Sequence, residues 1–383
     1  MASVSSIPLD QPSRVGSARL VSLDVLRGIT IAFMILVNNG GRYAYWPLKH
    51  SDWNGWTPTD LVFPTFVFLV GITIVFSTES RLSRGASKKS IALHDLQRFV
   101  ILFLLGIVVN GFPFFPLGTL RIYGVLQRIA ICFLICSFLY LWDRKPTSKI
   151  VIAIAALVGY WALMRFVPVP GYGVPGRAMP FMDKTANLAA WLDRHIFPGR
   201  LYRGVRDPEG LLSDIPSVAT ALLGMLTGMW LRTTRSKEQK CLGLLGGGIV
   251  LVFLGELWNP WFPINKNLWT SSFVLFCAGV SLLGLALCYW AIEIRGWKKG
   301  WTYYWLVFGA NAITAYMISE LLASGLDAIR LGPGQSLFGW IYEDVFQRIH
   351  PFGIGALLYA LAFVMVCWLA VWPLYIKKIF IKV

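Results

Sequence analysis

In a chain of 383 residues, 56% are hydrophobic and only 14% charged, against roughly 25% charged in soluble domains, so the composition points away from a water-soluble globule and toward an integral membrane protein. Thirty-five Lys and Arg against 19 Asp and Glu give a net charge of +16, but the cations gather in short segments between apolar runs. They therefore report membrane topology first and give no reason to expect a nucleic-acid partner. All six cysteines fall inside apolar runs with no CxxC pair, the pattern of buried small hydrophobes rather than of a disulfide framework or a metal site.

Residues 1–20 read as a polar N-terminal tail. The apolar run 21–38 lacks a small-residue cleavage site and ends in Asn38-Asn39-Gly40-Gly41, so it reads as a first spanning helix and not as a signal peptide. A ~30 Å hydrocarbon core needs ~20 apolar residues, and such runs follow near 60–78, 99–116, 125–142, 150–168, 215–231, 241–258, 268–291, 302–322 and 353–376. The predicted fold is an all-α polytopic membrane protein of about ten transmembrane helices, with one transmembrane domain over 21–376 and a short tail, 377–383. With the N-terminus in the cytoplasm, the inner segments hold 21 of the 35 Lys and Arg, which places both termini inside and the loops 39–59 and 168–214 outside. In the long outer segment, Leu188, Trp191, Leu192, His195 and Ile196 recur at helical spacing and predict an amphipathic helix on the outer face. Gly224 with Gly228, and the run Gly246-Gly247-Gly248, read as places where helices pack closely.

Ionisable side chains inside a membrane are costly and mark candidate sites. Asp24 and Arg27, spaced i, i+3, have each other as the simplest partner. Asp60 follows Thr57-Pro58-Thr59 at the head of the second span, where a carboxylate also caps a helix. Arg128 opens the fourth span. Glu256 and Glu320 lie near the outer ends of later spans, and interfacial snorkelling or a structural ion pair accounts for them. The first outer loop is the densest in chemistry: His50 lies among Asn38, Asn39, Tyr43, Tyr45, Trp46, Trp53, Asn54 and Trp56, with Asp60 ten residues on. His94, His195 and His350 have no such setting. Spacing alone leaves His50 open between a loop anchor and a working imidazole.

The stretch Ser22-Leu23-Asp24-Val25-Leu26-Arg27-Gly28, then Val37-Asn38-Asn39-Gly40-Gly41, Lys49-His50-Ser51-Asp52-Trp53-Asn54-Gly55 and Thr59-Asp60-Leu61-Val62-Phe63-Pro64, resembles the transmembrane acyltransferases related to heparan-α-glucosaminide N-acetyltransferase. The likeness continues in order through Arg121-Ile122-Tyr123-Gly124-Val125-Leu126-Gln127-Arg128, Asp207-Pro208-Glu209-Gly210 and Asn265-Lys266-Asn267-Leu268-Trp269, most of 20–376. The resemblance implies transfer of an acetyl group from acetyl-CoA to the amino group of a terminal glucosamine across the membrane, with His50 carrying the chemistry. The animal members have a lumenal N-terminal domain and a further leading span that are not seen in this sequence. With the absence of any Asn-x-Ser/Thr sequon, that points to a bacterial cytoplasmic membrane and leaves the acceptor, an amino sugar or another glycan, unnamed.

On this reading Arg27, Arg98 and Arg128 are the candidates for holding the CoA end of the donor. His50 takes the proton of the attacking amine, Asp60 holds its tautomer, and Asn38 or Asn54 donates to the developing oxyanion. Trp53, Glu209, Asn265, Lys266 and Asn267 are the candidates for the acceptor. Direct transfer and an acetyl-histidine intermediate both remain open, as does a homodimer. The rival readings are a membrane O-acyltransferase acting on a cell-envelope glycan and a solute carrier.

Overall fold

The computed structural model describes residues 20–196, 200–298 and 300–380, so the expected tails fall largely outside the described residues. The helices are α1 (Val21–Asn38), α2 (Val62–Leu82), α3 (Lys88–Gly111), α4 (Val125–Trp142), α5 (Pro146–Phe166), α6 (Leu188–Ile196), α7 (Asp214–Leu231), α8 (Lys237–Trp258), α9 (Ser271–Tyr289), α10 (Trp301–Ala310), α11 (Ala312–Ala328), α12 (Leu337–Trp340) and α13 (Phe352–Ile376). A two-stranded ribbon, β1 (Arg330–Gly332) with β2 (Gln335–Ser336), is the one sheet among the described residues. Nine helical segments there are long and apolar enough to cross a membrane, and α10 with α11, bent by 79°, makes a tenth. The chain is an all-α polytopic membrane protein.

Local chemistry sets the ends. Pro146 opens α5, where a missing N–H costs nothing, and Ser236 with Gln239 forms a reciprocal cap on α8. The third span departs from the expected 99–116. Ser87 accepts from the Ser90 N–H and starts the helix at Lys88, carrying the basic stretch down to Arg98 into the span. Pro113 keeps Phe112 extended, which ends the helix at Gly111.

Glycines let the inner helices touch. A Cβ on Gly71 would lie 1.9 Å from the Ala221 carbonyl oxygen, and one on Gly224 would lie 1.9 Å from that of Phe68, so α2 and α7 cross backbone to backbone. The expected packing role of Gly224 and Gly228 is what the crossing displays. α1, α2, α4, α7 and α9 form the buried centre, while α3, α5 and α8 turn most of their apolar surface outward.

The segment 168–214 lies folded on the bundle. α6 buries Leu188, Ala189, Ala190 and Asp193 and packs Trp191 and Leu192, partly buried, against the same apolar cluster, so three of the five residues of the face expected from spacing are turned inward. His195 and Ile196 are exposed, and His195 stacks on Trp191 at 4.2 Å. The buried face is the one that meets the bundle and the returning chain, where the Asp193 carboxylate accepts the Leu211 N–H at 3.1 Å.

α1, α2, α3, α4 and α11 enclose a seam with a cavity at each end. One, of about 560 Å³, is lined by Asn38, His50, Asp60, Asn110, Arg121, Glu209, Lys266 and Glu320 among others. The other, of about 670 Å³, is lined by Asp24, Arg27, Arg81, Arg84, His94 and Arg98.

Candidate active site

His50 is held by hydrogen bonds that draw its loop back on itself. The Thr57 hydroxyl donates to the Lys49 carbonyl at 2.5 Å and the Thr59 hydroxyl to that of Pro47 at 3.0 Å. Asp60, 1% exposed, then divides its two oxygens. Oδ2 accepts the backbone N–H groups of Ser51 and Thr57, each at 3.0 Å, and the Thr57 hydroxyl at 3.1 Å. Oδ1 faces His50 Nδ1 at 2.7 Å. Asp60 therefore caps the turn with one oxygen and holds the imidazole with the other. A carboxylate that only accepts places a proton on Nδ1, so in the neutral ring the acceptor lone pair is on Nε2. The imidazole side chain is 44% exposed.

Lys266 closes the cluster. Its Nζ lies 3.1 and 3.3 Å from the two imidazole nitrogens and 3.8 Å from Asp60 Oδ1. Burial pushes this lysine below its ordinary range, with Asp60 pulling the other way.

Across the cavity, Arg121 grips the returning chain. Its Nε and Nη2 donate to the two oxygens of Asp207 at 2.8 and 2.5 Å, and Nη2 also reaches Glu209 at 2.6 Å. Burial works against the Asp207 charge, yet the Arg121 bonds and charge outweigh it and hold that carboxyl below its ordinary range. Asp193 has no ion pair among the described residues: burial pushes it up to about 7, opposed by the N–H groups of Leu211 and Asp207. Gly210 allows this fit, since a Cβ there would lie 2.1 Å from an Asp193 oxygen.

The cavity thus gathers Asn38, His50, Asp60, Glu209, Lys266 and Asn267 from the expected set. Three others stand behind its wall. Asn54 accepts from Asn265 Nδ2 at 3.2 Å, which sutures the His50 loop to the turn before α9, and its side chain does not line the cavity where an oxyanion donor would stand. Trp53 donates to the Met182 carbonyl at 3.0 Å under the Arg206 guanidinium at 4.7 Å, so its ring is a fixture between loops and not an open stacking platform. Asn38 donates to Glu320 at 3.0 Å.

Arg27 and Arg98 lie in the opposite cavity. Arg27 pairs with Asp24 at 2.9 Å and donates to the Gly309 carbonyl at 3.3 Å. Arg98 sits over the Phe133 ring at 4.4 Å. Arg128 lies in neither. It is 1% exposed and its guanidinium donates to Asp214 at 3.0 Å, to the Pro208 and Gly210 carbonyls at 3.0 Å each, and to the Ser213 hydroxyl, over the Trp269 ring. Four of its five N–H donors are engaged and it lines neither cavity, so Arg128, expected at the CoA end, acts in this structure as a clamp on the segment 208–214. The residues missed by sequence reasoning are Arg121, Asn110 and Tyr316 at the His50 end and Arg81, Arg84 and His94 at the other. Arg121 and Arg128 share one sequence block, and nothing in their spacing tells which of them opens onto a cavity.

A polytopic helical bundle that carries a carboxylate-held imidazole at one end of a seam and a cationic cavity at the other defines a membrane protein equipped for acid–base chemistry. A family model described as heparan-α-glucosaminide N-acetyltransferase, catalytic, matches residues 19–256, and the chain belongs to that family. The protein of that name from Mus musculus is 30% identical over 360 residues, covering 81% of this chain and 54% of its own. The one from Homo sapiens is 31% identical over 357 residues, covering 79% and 53%. The chain spans about half the length of these curated relatives. His50, Asp60, Arg98 and Glu209 fall inside the family match, while Lys266 and Glu320 lie beyond it.

Proposed function

We propose that the protein transfers the acetyl group of acetyl-CoA, bound with its CoA end in the Arg98 cavity, to the amino group of a glucosamine-type sugar in the His50 cavity on the other side of the membrane. The observation that carries this reading is the pair of cavities at opposite ends of one seam. Arg27 and Asn38 lie eleven residues apart on α1, about 16 Å at 1.5 Å per residue, a span that the pantetheine arm of CoA can bridge. The cationic cavity faces the cytoplasm, where acetyl-CoA is made. At the other end, His50 Nε2 takes a proton from the attacking amine while Asp60 Oδ1 keeps the Nδ1–H tautomer in place. Lys266, beside the imidazole, supplies positive charge to the developing oxyanion, a role worth roughly 3 kcal/mol per donor in other enzymes. Asn267 and Glu209 line the acceptor side. Transfer is direct, without an acetyl-histidine, because an acyl-imidazole beside water would hydrolyse.

The test is reconstitution in vesicles with labelled acetyl-CoA on the Arg98 side and methyl glucosaminide on the His50 side. Label should appear on the sugar nitrogen across the bilayer. Label on a hydroxylated glycan alone would replace the amine acceptor, and absence of transfer to either would overturn the reading.

A further inference from the structure

The His50 cavity holds a carboxylate that the chemistry above does not use. Of its four lining acids, Asp60 is engaged by His50, Lys266 and the loop backbone, Glu209 is paired with Arg121, and Asp52 is open to solvent. Glu320 differs from all three. It sits on α11, half-buried in a spanning segment, and its one hydrogen bond among the described residues is from the neutral amide of Asn38. No cation pairs with it there, although a carboxylate at membrane depth is costly without one. Of the two roles expected from sequence, the structural ion pair is not formed among the described residues. Its electrostatic surroundings are the Tyr316 hydroxyl one turn back on α11, the Cys367 thiol of α13 and, around the cavity, Arg121, Glu209, His50 and Lys266.

Resting on the acetyl-transfer reading, we propose that Glu320 is the acceptor-ammonium site: it binds the protonated amine of the sugar and takes its first proton. The step balances with two bases. An R–NH3+ acceptor gives one proton to the Glu320 carboxylate and becomes R–NH2. Its nitrogen attacks the thioester carbonyl, the C–N bond forms and the C–S bond breaks. The second N–H proton passes to His50 Nε2 and from there to the departing thiolate, giving CoA–SH, and the Glu320 proton leaves to water. An ammonium supplies the charge that Glu320 lacks, whereas a hydroxyl cannot, so the same residue selects amines over alcohols.

The test compares wild type with Glu320→Gln and Glu320→Asp, using methyl glucosaminide as acceptor. Below the pKa of the amine, Glu320→Gln should raise the acceptor KM about 10- to 100-fold, the range of a lost charge-assisted bond. The deficit should shrink as pH rises through that pKa and the ammonium disappears, with Glu320→Asp intermediate. A deficit independent of pH, or none at all, would overturn the proposal while leaving the transfer reading intact. Absence of transfer to any amine in wild type would overturn both. Should Glu320→Gln fail to fold, wild type decides alone: methyl glucosaminide, with no donor present, should bind more tightly at about pH 6.5 than at about pH 9, and equal or tighter binding at the higher pH would refute the assignment.

Discussion

The two cavities of the seam are built on opposite principles. At the His50 end Arg121 is answered by Asp207 and Glu209 and Lys266 by Asp60 and the imidazole, while Arg203 and Arg206 rest on the rings of Tyr202 and Trp53. At the other end, Arg98 has no ion pair among the described residues, and its Nε is buried without a hydrogen-bond partner. Arg84, in the turn after α2, has side-chain bonds among the described residues to Ser80 near the end of that helix. One end is organised before any ligand arrives, as chemistry at a developing charge demands. The other keeps cationic capacity that an anionic ligand can meet. The difference teaches where to look for rate and where to look for affinity.

The sharpest way to break this contrast is at His50. His50→Ala should keep the fold and donor binding and lose ~10²–10⁴-fold in acetyl transfer, the range of a general base. Asp60→Asn should lose nearly as much, because a neutral amide no longer fixes the Nδ1–H tautomer. Steady-state rates with labelled acetyl-CoA read both, and an active His50→Ala enzyme would dissolve the assignment of the preorganised end.

Arg128→Ala should act on the fold. Removing one partner of the buried Arg128–Asp214 pair should cost about 3–5 kcal/mol, seen as a lower unfolding temperature in detergent, while acetyl-CoA affinity in the protein that stays folded is retained. A selective loss of donor affinity would return Arg128 to the donor site.

Arg98→Ala should weaken acetyl-CoA binding by about 1.5–3 kcal/mol and leave the acceptor KM unchanged. Titration calorimetry with acetyl-CoA measures the first and initial rates the second. Equal losses on both substrates would mean that the two ends are not separate sites.

The smallest effect concerns Asp193 under the segment 201–214. Its folded value of about 7 lies above its ordinary 3.8, so between those limits the folded state binds more protons than the unfolded one. Its contribution is therefore full below about pH 4 and is lost as pH rises through 7. Hydrogen exchange in 201–214 should quicken from about pH 5.5 to about pH 8 once intrinsic rates are corrected, and Asp193→Asn should flatten that trend. An unchanged slope in the variant would remove Asp193 as its source.

The one-dimensional sequence carried the spans. Apolar runs of membrane length with polar breaks predict elements whose ends the structure reproduces at 21–38 and 125–142, because hydrocarbon admits hardly any backbone but helix. It also carried His50 and Asp60, ten residues apart, close enough for one loop to bring them together. What needed three dimensions is every pairing across long separations. Asn38 meets Glu320 over 282 residues, Lys266 meets His50 over 216, and Arg121 meets Asp207 over 86. Periodicity reports which face of a helix is apolar, and it is silent on which helix that face will meet. Trp53 and Arg128 show the cost of that silence: each has the chemistry for a ligand and each is taken by the protein itself, through partners that only the packed bundle brings within reach.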